Sequence, residues 1–469
     1  MFRQVSRSSL VLIGFLSVVV VGAQYSCSEQ TSSTTYDRLR DYVDTIQVIN
    51  THEHQRTPPG YEEADYNLFT IIASSYLNAD LVSAGAPVFD PAVITQRNPE
   101  ELWNLYGRYL DYSRNTTYYS HLLAGIRALY GFEEPYFTQE TITTLSETIE
   151  KNYADKESWY AASFEKAGFE LMFLDQFWDN FNVDIDDRYF ALVININSLV
   201  FLISDRDEMP LDDESVLTDP FELAENEGFS IGTLDDYLDF ADNIVKKFIE
   251  HGAVCFKSTL AYMRTIDFEA VGYERAKELF ARSSNELSPE EKKQLQDFMF
   301  HWVVQKSIEV DLPFQIHTGY LAGNANILEN SRPTKLNNLF LSYPDARFVL
   351  FHGAYPWTGE FSVLGKMFPN VHLDLVWLPQ LSREAAILAL DEMLDGVPYN
   401  KFFWGGDCQY IEESAGSLIF AKDVVSKVLA SRVDRGLMTE EVAREVARRI
   451  FRENAIEYFG LETRLEAKL

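Results

Sequence analysis

The chain has 469 residues and a formal net charge of −32. That length can bury a large core, while the charge excludes nucleic acid and anionic membrane surfaces as partners, because phosphates would be repelled. The acidity itself reads as a well-solvated surface.

The first residues form a segment of their own. Arg3 and Arg7 precede an apolar run at 10–21, and the small residues Gly22 and Ala23 follow. This is the order of a secretory signal, and the run is short for a membrane span. Residues 1–23 are expected to be removed and the chain exported, to a periplasmic or extracellular location, with no transmembrane span in the mature protein. Cys27 opens a second reading, a lipid anchor after a signal ending at 26, although Gln24-Tyr25-Ser26 fits a lipobox poorly. Residues 24–35 then form a polar tether. The remaining cysteines, Cys255 and Cys408, are no disulfide scaffold, and no CxxC spacing occurs.

From 36 to 469, strand and helix patterns alternate, which favours a parallel sheet. Short apolar runs at 45–51, 170–175, 189–195, 253–258, 313–318, 347–352, 371–375 and 402–407 read as strands buried on both faces. Eight such units fit an α/β architecture closed as a (β/α)8 TIM barrel. The alternative, an open doubly wound sheet, lacks a GxGxxG turn after the first strand. Residues 58–165, rich in Tyr and Leu at helical spacing, read as a helical insertion that leaves the first strand and caps the barrel mouth; an oligomer interface is the other reading, so a homo-oligomer stays open. Residues 205–236 read as an acidic surface loop, and 439–459 as a closing amphipathic helix.

The candidate chemistry sits where strands end. His52 and His54 flank Glu53, and on a strand residues two apart share a face, so both imidazoles can reach one metal ion while Glu53 points away. His317, His352 and Asp407 each end a later strand. Alone, each has a bland reading as a core histidine or a turn aspartate. Together they occupy the end of the barrel that carries catalysis, with ligand types that Zn²⁺, Mn²⁺ or Fe²⁺ accept.

With Asn50-Thr51-His52-Glu53-His54, Phe256-Lys257-Ser258, Gln315-Ile316-His317-Thr318-Gly319, Phe351-His352-Gly353, Val371-His372-Leu373-Asp374-Leu375, Trp404-Gly405-Gly406-Asp407 and Asn454-Ala455 in this order, the chain resembles the amidohydrolase superfamily. The likeness is to the branch that includes uronate isomerases and metal-dependent decarboxylases, nearest to the amidohydrolase-like domain of nodulin-type glutamine-synthetase fusions; no glutamine-synthetase half is present. The resemblance implies that His52, His54, His317 and Asp407 bind a divalent metal, zinc first and Mn or Fe as alternatives. It also implies that Asp407 takes a proton from the attacking water, and that His352 is an acid/base or a further ligand. Lys257 is a site residue in either of two arrangements: one ion, the favoured reading, or two ions bridged by a carboxylated Lys257.

Arg264 could clamp a substrate carboxylate or form a solvent-exposed salt bridge. Tyr262 and, from the insertion, His121 are further candidates for substrate contact, and Asp374 for support of a ligand histidine. The expected activity is metal-dependent hydrolysis of an amide, ester or lactone bond in a small, anionic substrate. A non-oxidative decarboxylase and a sugar-acid isomerase are the alternatives.

Overall fold

The computed structural model describes residues 33–55, 66–205 and 218–466. The export segment, Cys27, the start of the insertion and most of the acidic loop's first half lie outside the described residues. No helix among the described residues is long and apolar enough to cross a membrane.

Eight parallel strands pair in sequence order: β1 (Val48–Glu53), β2 (Phe169–Leu174), β3 (Phe190–Asn195), β4 (Ala253–Ser258), β5 (Phe314–Ile316), β6 (Phe348–Leu350), β7 (Val371–Asp374) and β8 (Phe402–Phe403). The sheet closes between its last and first strands. Thr51 N–H donates to Trp404 O at 3.2 Å, Asp407 N–H to His52 O at 2.9 Å and His54 N–H to Cys408 O at 3.0 Å. The result is the (β/α)8 barrel that eight short apolar runs implied.

Two hydrophobic clusters follow from strand alternation. Val48, Met172, Leu192, Phe256, Ile316, Leu350 and Leu373 pack with the surrounding helices. Ile49, Phe173, Val193, Cys255, Val349 and Phe403 pack in the other cluster. These alternate residues fill the barrel interior, as the period of two requires. Phe459, from the closing helical segment, meets Phe173 and Phe403 with ring centroids 4.8 and 5.4 Å apart. His372, inside β7, lies against Tyr458 at 3.9 Å. It shares the inward face with Asp374, as their common parity predicts, but sits low in the barrel.

The boundaries differ from the sequence reading in most strands, β8 ending at Phe403 rather than at 407. Strand β1 starts at Val48, because a helix, Thr35–Asp44, precedes it, opened by a Thr34–Asp37 capping box. The closing helix is three pieces, Glu440–Arg448, a π-helical turn at Arg449–Glu453, and Asn454–Phe459.

The insertion is helical throughout its described part, from Leu68–Ser74 to Lys156–Ala167. Its helix Thr117–Tyr130 crosses the long helix Ile411–Asp434 that follows β8. The crossing is close because glycines meet backbone: a Cβ on Gly125 would collide with the Glu412 carbonyl, and one on Gly416 with the His121 carbonyl. Small residues at a crossing let two helix axes approach.

Candidate metal centre

The closing contacts between β1 and β8 also build the site. Asn50 Oδ1 accepts the Gly406 N–H at 2.9 Å, and Glu53 Oε2 accepts the Cys408 N–H at 2.6 Å. Glu53 is fully buried and turned away from the histidines, as expected. Burial pushes its carboxyl up to about 8. Residue 406 must be glycine here, since a Cβ would run into the Glu53 carboxylate. The turn ends with Asp407 in the left-handed region, at φ 59°, a strained conformation that surrounding contacts must hold.

This turn delivers Asp407 Oδ1 to both β1 histidines, 3.2 Å from His52 Nε2 and 3.0 Å from His54 Nε2. The two rings stand edge to face at 4.6 Å. His54 Nδ1–H donates to the Asp175 carbonyl at 2.9 Å, which leaves Nε2 to face Asp407; burial would lower this imidazole, but the hydrogen bond and charge of Asp407 raise it. Burial alone would raise the Asp407 carboxyl, but the hydrogen bonds and charges of His52 and His54 hold it well below the usual carboxylate range. Burial, reinforced by the Lys257 charge, pushes His52 far below an ordinary imidazole.

His317 and His352 form a second group. His317 Nδ1 lies 3.0 Å from His352 Nε2. The far nitrogens donate to backbone, His317 Nε2–H to Tyr320 O at 2.8 Å and His352 Nδ1–H to Val376 O at 3.2 Å. Both facing nitrogens are therefore lone pairs. Burial, then the Lys257 charge, takes His317 down to about 3, and burial with His317 takes His352 well below the imidazole range. Two lone pairs held face to face in a dry site repel unless a cation lies between them. On that ground the residues fit a divalent metal: His52 and His54 lie on Asp407, and His317 lies on His352, whose Nδ1 is 3.9 Å from Asp407 Oδ2. His352 is held at φ 63° and Trp377 behind it at φ 63°.

Lys257, on β4, is fully buried among these groups. Its Nζ has no hydrogen-bond partner among the described residues and rests 3.3 Å from the Phe351 ring centroid. Burial lowers it to about 8.

Other expectations resolve as follows. Arg264 does not enter the centre. Its guanidinium holds Asp297 at 2.5 Å and Gln296 at 3.2 Å on the outer helix Pro289–Glu309. The alternative was a solvent-exposed salt bridge; this one is buried, and with the Thr265, Lys293 and Asp267 carbonyls also accepting from the guanidinium, its donors are taken. His121 is buried in the helix crossing, with Nε2 3.8 Å from Glu413 Oε1, so the crossing that docks the insertion has taken it from the mouth. Tyr262 is placed at the mouth: its ring stands 4.9 Å from His317 and its hydroxyl accepts the Ala322 N–H at 2.9 Å. Asp374 accepts Thr51 Oγ1–H at 2.6 Å and Val376 N–H at 2.9 Å. It braces β1 and the β7 turn rather than a ligand ring.

Sequence reasoning missed two features. Asp175 ends β2 beside His54, and its position one residue past an apolar strand was the available signal. The aromatic wall over His352 was also missed: Trp377 lies 5.2 Å from that ring, with Tyr76 at 4.5 Å and Tyr118 at 6.3 Å from Trp377. Its members are scattered along the sequence and carry no local pattern.

Comparison with known proteins bears on the family and the fold. The amidohydrolase family pattern matches residues 272–461. The protein fluG of Emericella nidulans is 31% identical over 227 residues, 44% of this chain; the match spans about a quarter of that relative's length, 26%. In fold, the chain is similar to the uronate isomerase of Thermotoga maritima, with a TM-score of 0.74 at 15% identity, covering 91% of this chain and 97% of the other. It is also similar to the glucuronate isomerase of Caulobacter crescentus, with a TM-score of 0.73 at 16% identity, covering 91% and 94%.

Proposed function

We propose that the chain is a member of the amidohydrolase superfamily and an exported, metal-dependent hydrolase that cleaves an amide, ester or lactone bond of a small substrate. The observation that carries this reading is the two side-chain groups at one barrel mouth, His52 and His54 on Asp407, and His317 on His352. His52, His54 and Asp407 would hold a first ion. His317 and His352 would hold a second, with Lys257 beside them; the lone-pair argument favours this over a single ion. When bound, a divalent cation lowers the pKa of a water and polarises a carbonyl.

The chain's own groups supply the rest. Asp407 shares Oδ1 with the histidines, which leaves Oδ2 to accept a proton from the attacking water and return it to the leaving group. The Tyr262 hydroxyl accepts from Ala322, so its proton is free to orient a substrate oxygen. Trp377, Tyr76 and Tyr118 wall the mouth and keep water out of it. With Arg264 tied to Asp297, the basis for an anionic substrate narrows to Lys257.

The test is metal analysis of the purified protein together with a panel of N-acyl amino acids, lactones, aromatic acids and uronates. Hydrolysis of an amide or lactone that stops on chelation and returns with added metal is the expected result. Release of carbon dioxide from an aromatic acid, or conversion of a uronate without hydrolysis, would replace this reading with the decarboxylase or the isomerase.

A further inference from the structure

Asp175 is the group in the centre that the reading above leaves unused. It follows β2, is fully buried, and is fixed at three of its atoms. Its N–H donates to Glu53 O at 2.9 Å. Its carbonyl accepts from His54 Nδ1 at 2.9 Å, and its Oδ1 accepts from Asn195 Nδ2 at 2.9 Å. Oδ2 has no partner. Ligand-type atoms of His52, His54 and Asp175 all lie within 4.8 Å of one another.

We propose that Asp175 Oδ2 is a further ligand of the ion that His52 and His54 hold. The inference rests on the metal reading above and adds a residue to it. A buried carboxylate oxygen without a donor needs a cation or a proton. Lys257 is the nearby cation, but no ion pair joins it to Asp175 among the described residues, and its Nζ instead rests on the Phe351 ring. An ion between the β1 histidines reaches Asp175 as well. The bracing by Asn195 and by the β1 backbone aims the carboxylate before any metal arrives, and a hard oxygen donor beside imidazoles suits Zn²⁺, Mn²⁺ or Fe²⁺. The same residue would then orient His54 through its carbonyl and bind the ion through its side chain.

The experiment titrates zinc into chelator-stripped protein by calorimetry, and records the visible absorption of the cobalt-loaded protein. Wild type, Asp175→Asn, Asp175→Ser and the double variant Asp175→Asn/Lys257→Met are compared, with thermal melts to show that each is folded. We expect both single variants to bind the tighter zinc equivalent at least ~10-fold more weakly and to change the cobalt spectrum. The double variant should stay as weak as Asp175→Asn. Two single variants that bind like wild type overturn the inference while leaving the metal reading intact. Recovery in the double variant overturns it too, since Asp175 would then be only the counter-ion of Lys257. A wild-type chain that takes up no ion overturns both readings.

Discussion

His317 Nδ1 faces His352 Nε2 at 3.0 Å while the opposite nitrogen of each ring is committed to a backbone carbonyl. Turning the His317 ring would give up its bond to the Tyr320 carbonyl, whereas the Val376 carbonyl also accepts the Leu378 N–H at 2.7 Å. The pair is therefore arranged to receive a cation, and it is built from two different strands' ends, which makes its spacing a property of the barrel.

From this pairing, His352→Asn is expected to lower bound metal by about half and to reduce turnover ~10–100-fold or more. Elemental analysis and steady-state kinetics on the same preparation check it. Full metal content with lost turnover would instead mean one ion, with His352 as a free acid or base.

The glycine crossing makes a separate, purely structural prediction. Gly125→Ala or Gly416→Ala places a methyl group against the backbone of the facing helix. Overpacking of this kind costs about 1–3 kcal/mol, so the urea midpoint should fall. Gly131→Ala, at an open position with φ 69°, separates the cost of the crossing from the cost of left-handed backbone.

The insertion reaches the centre through rings, and this narrows which of its residues matter. Tyr118 lies 5.5 Å from Tyr76, which lies 4.5 Å from Trp377, next to His352. Tyr118→Ala should change KM or kcat on the true substrate with metal content intact. Arg127, exposed and donating to Glu134 O at 2.6 Å, is expected to be silent when replaced. Unchanged kinetics in Tyr118→Ala, with a loss of oligomer by light scattering, would make the insertion an interface.

Lys422 provides the pH dependence. It is buried below β1, with Nζ donating to Asp44 O and Ile46 O at 3.3 Å, and burial lowers it from 10.5 to about 8. Between those values the unfolded chain holds the proton that the folded chain has released, so its contribution to stability rises with pH across that window and is lowest below 8. The full span corresponds to at most about 3 kcal/mol. Denaturant midpoints at pH 7 and pH 10 should diverge between wild type and Lys422→Met, the wild type gaining more on going to pH 10. Parallel midpoints would show that Lys422 titrates normally.

The barrel and the strand-end positions of the candidate ligands were legible from sequence, because both depend on local pattern. A strand buried on both faces is an apolar run whatever surrounds it, and a histidine that ends one is visible as such. His52 with His54 needed only the two-residue period. What the linear pattern could not contain is which ring faces which. The register that closes β8 onto β1 sets Asp407 on the β1 histidines, and the adjacency of β5 and β6 sets His317 on His352 instead. Arg264 could not be assigned because its partner, Asp297, lies on a helix 33 residues away, and His121 because a glycine crossing pulls it against Glu413. Asp175 was hidden for the same reason: a carboxylate becomes a metal ligand only through neighbours brought by other strands, and those distances exist only once the sheet has closed.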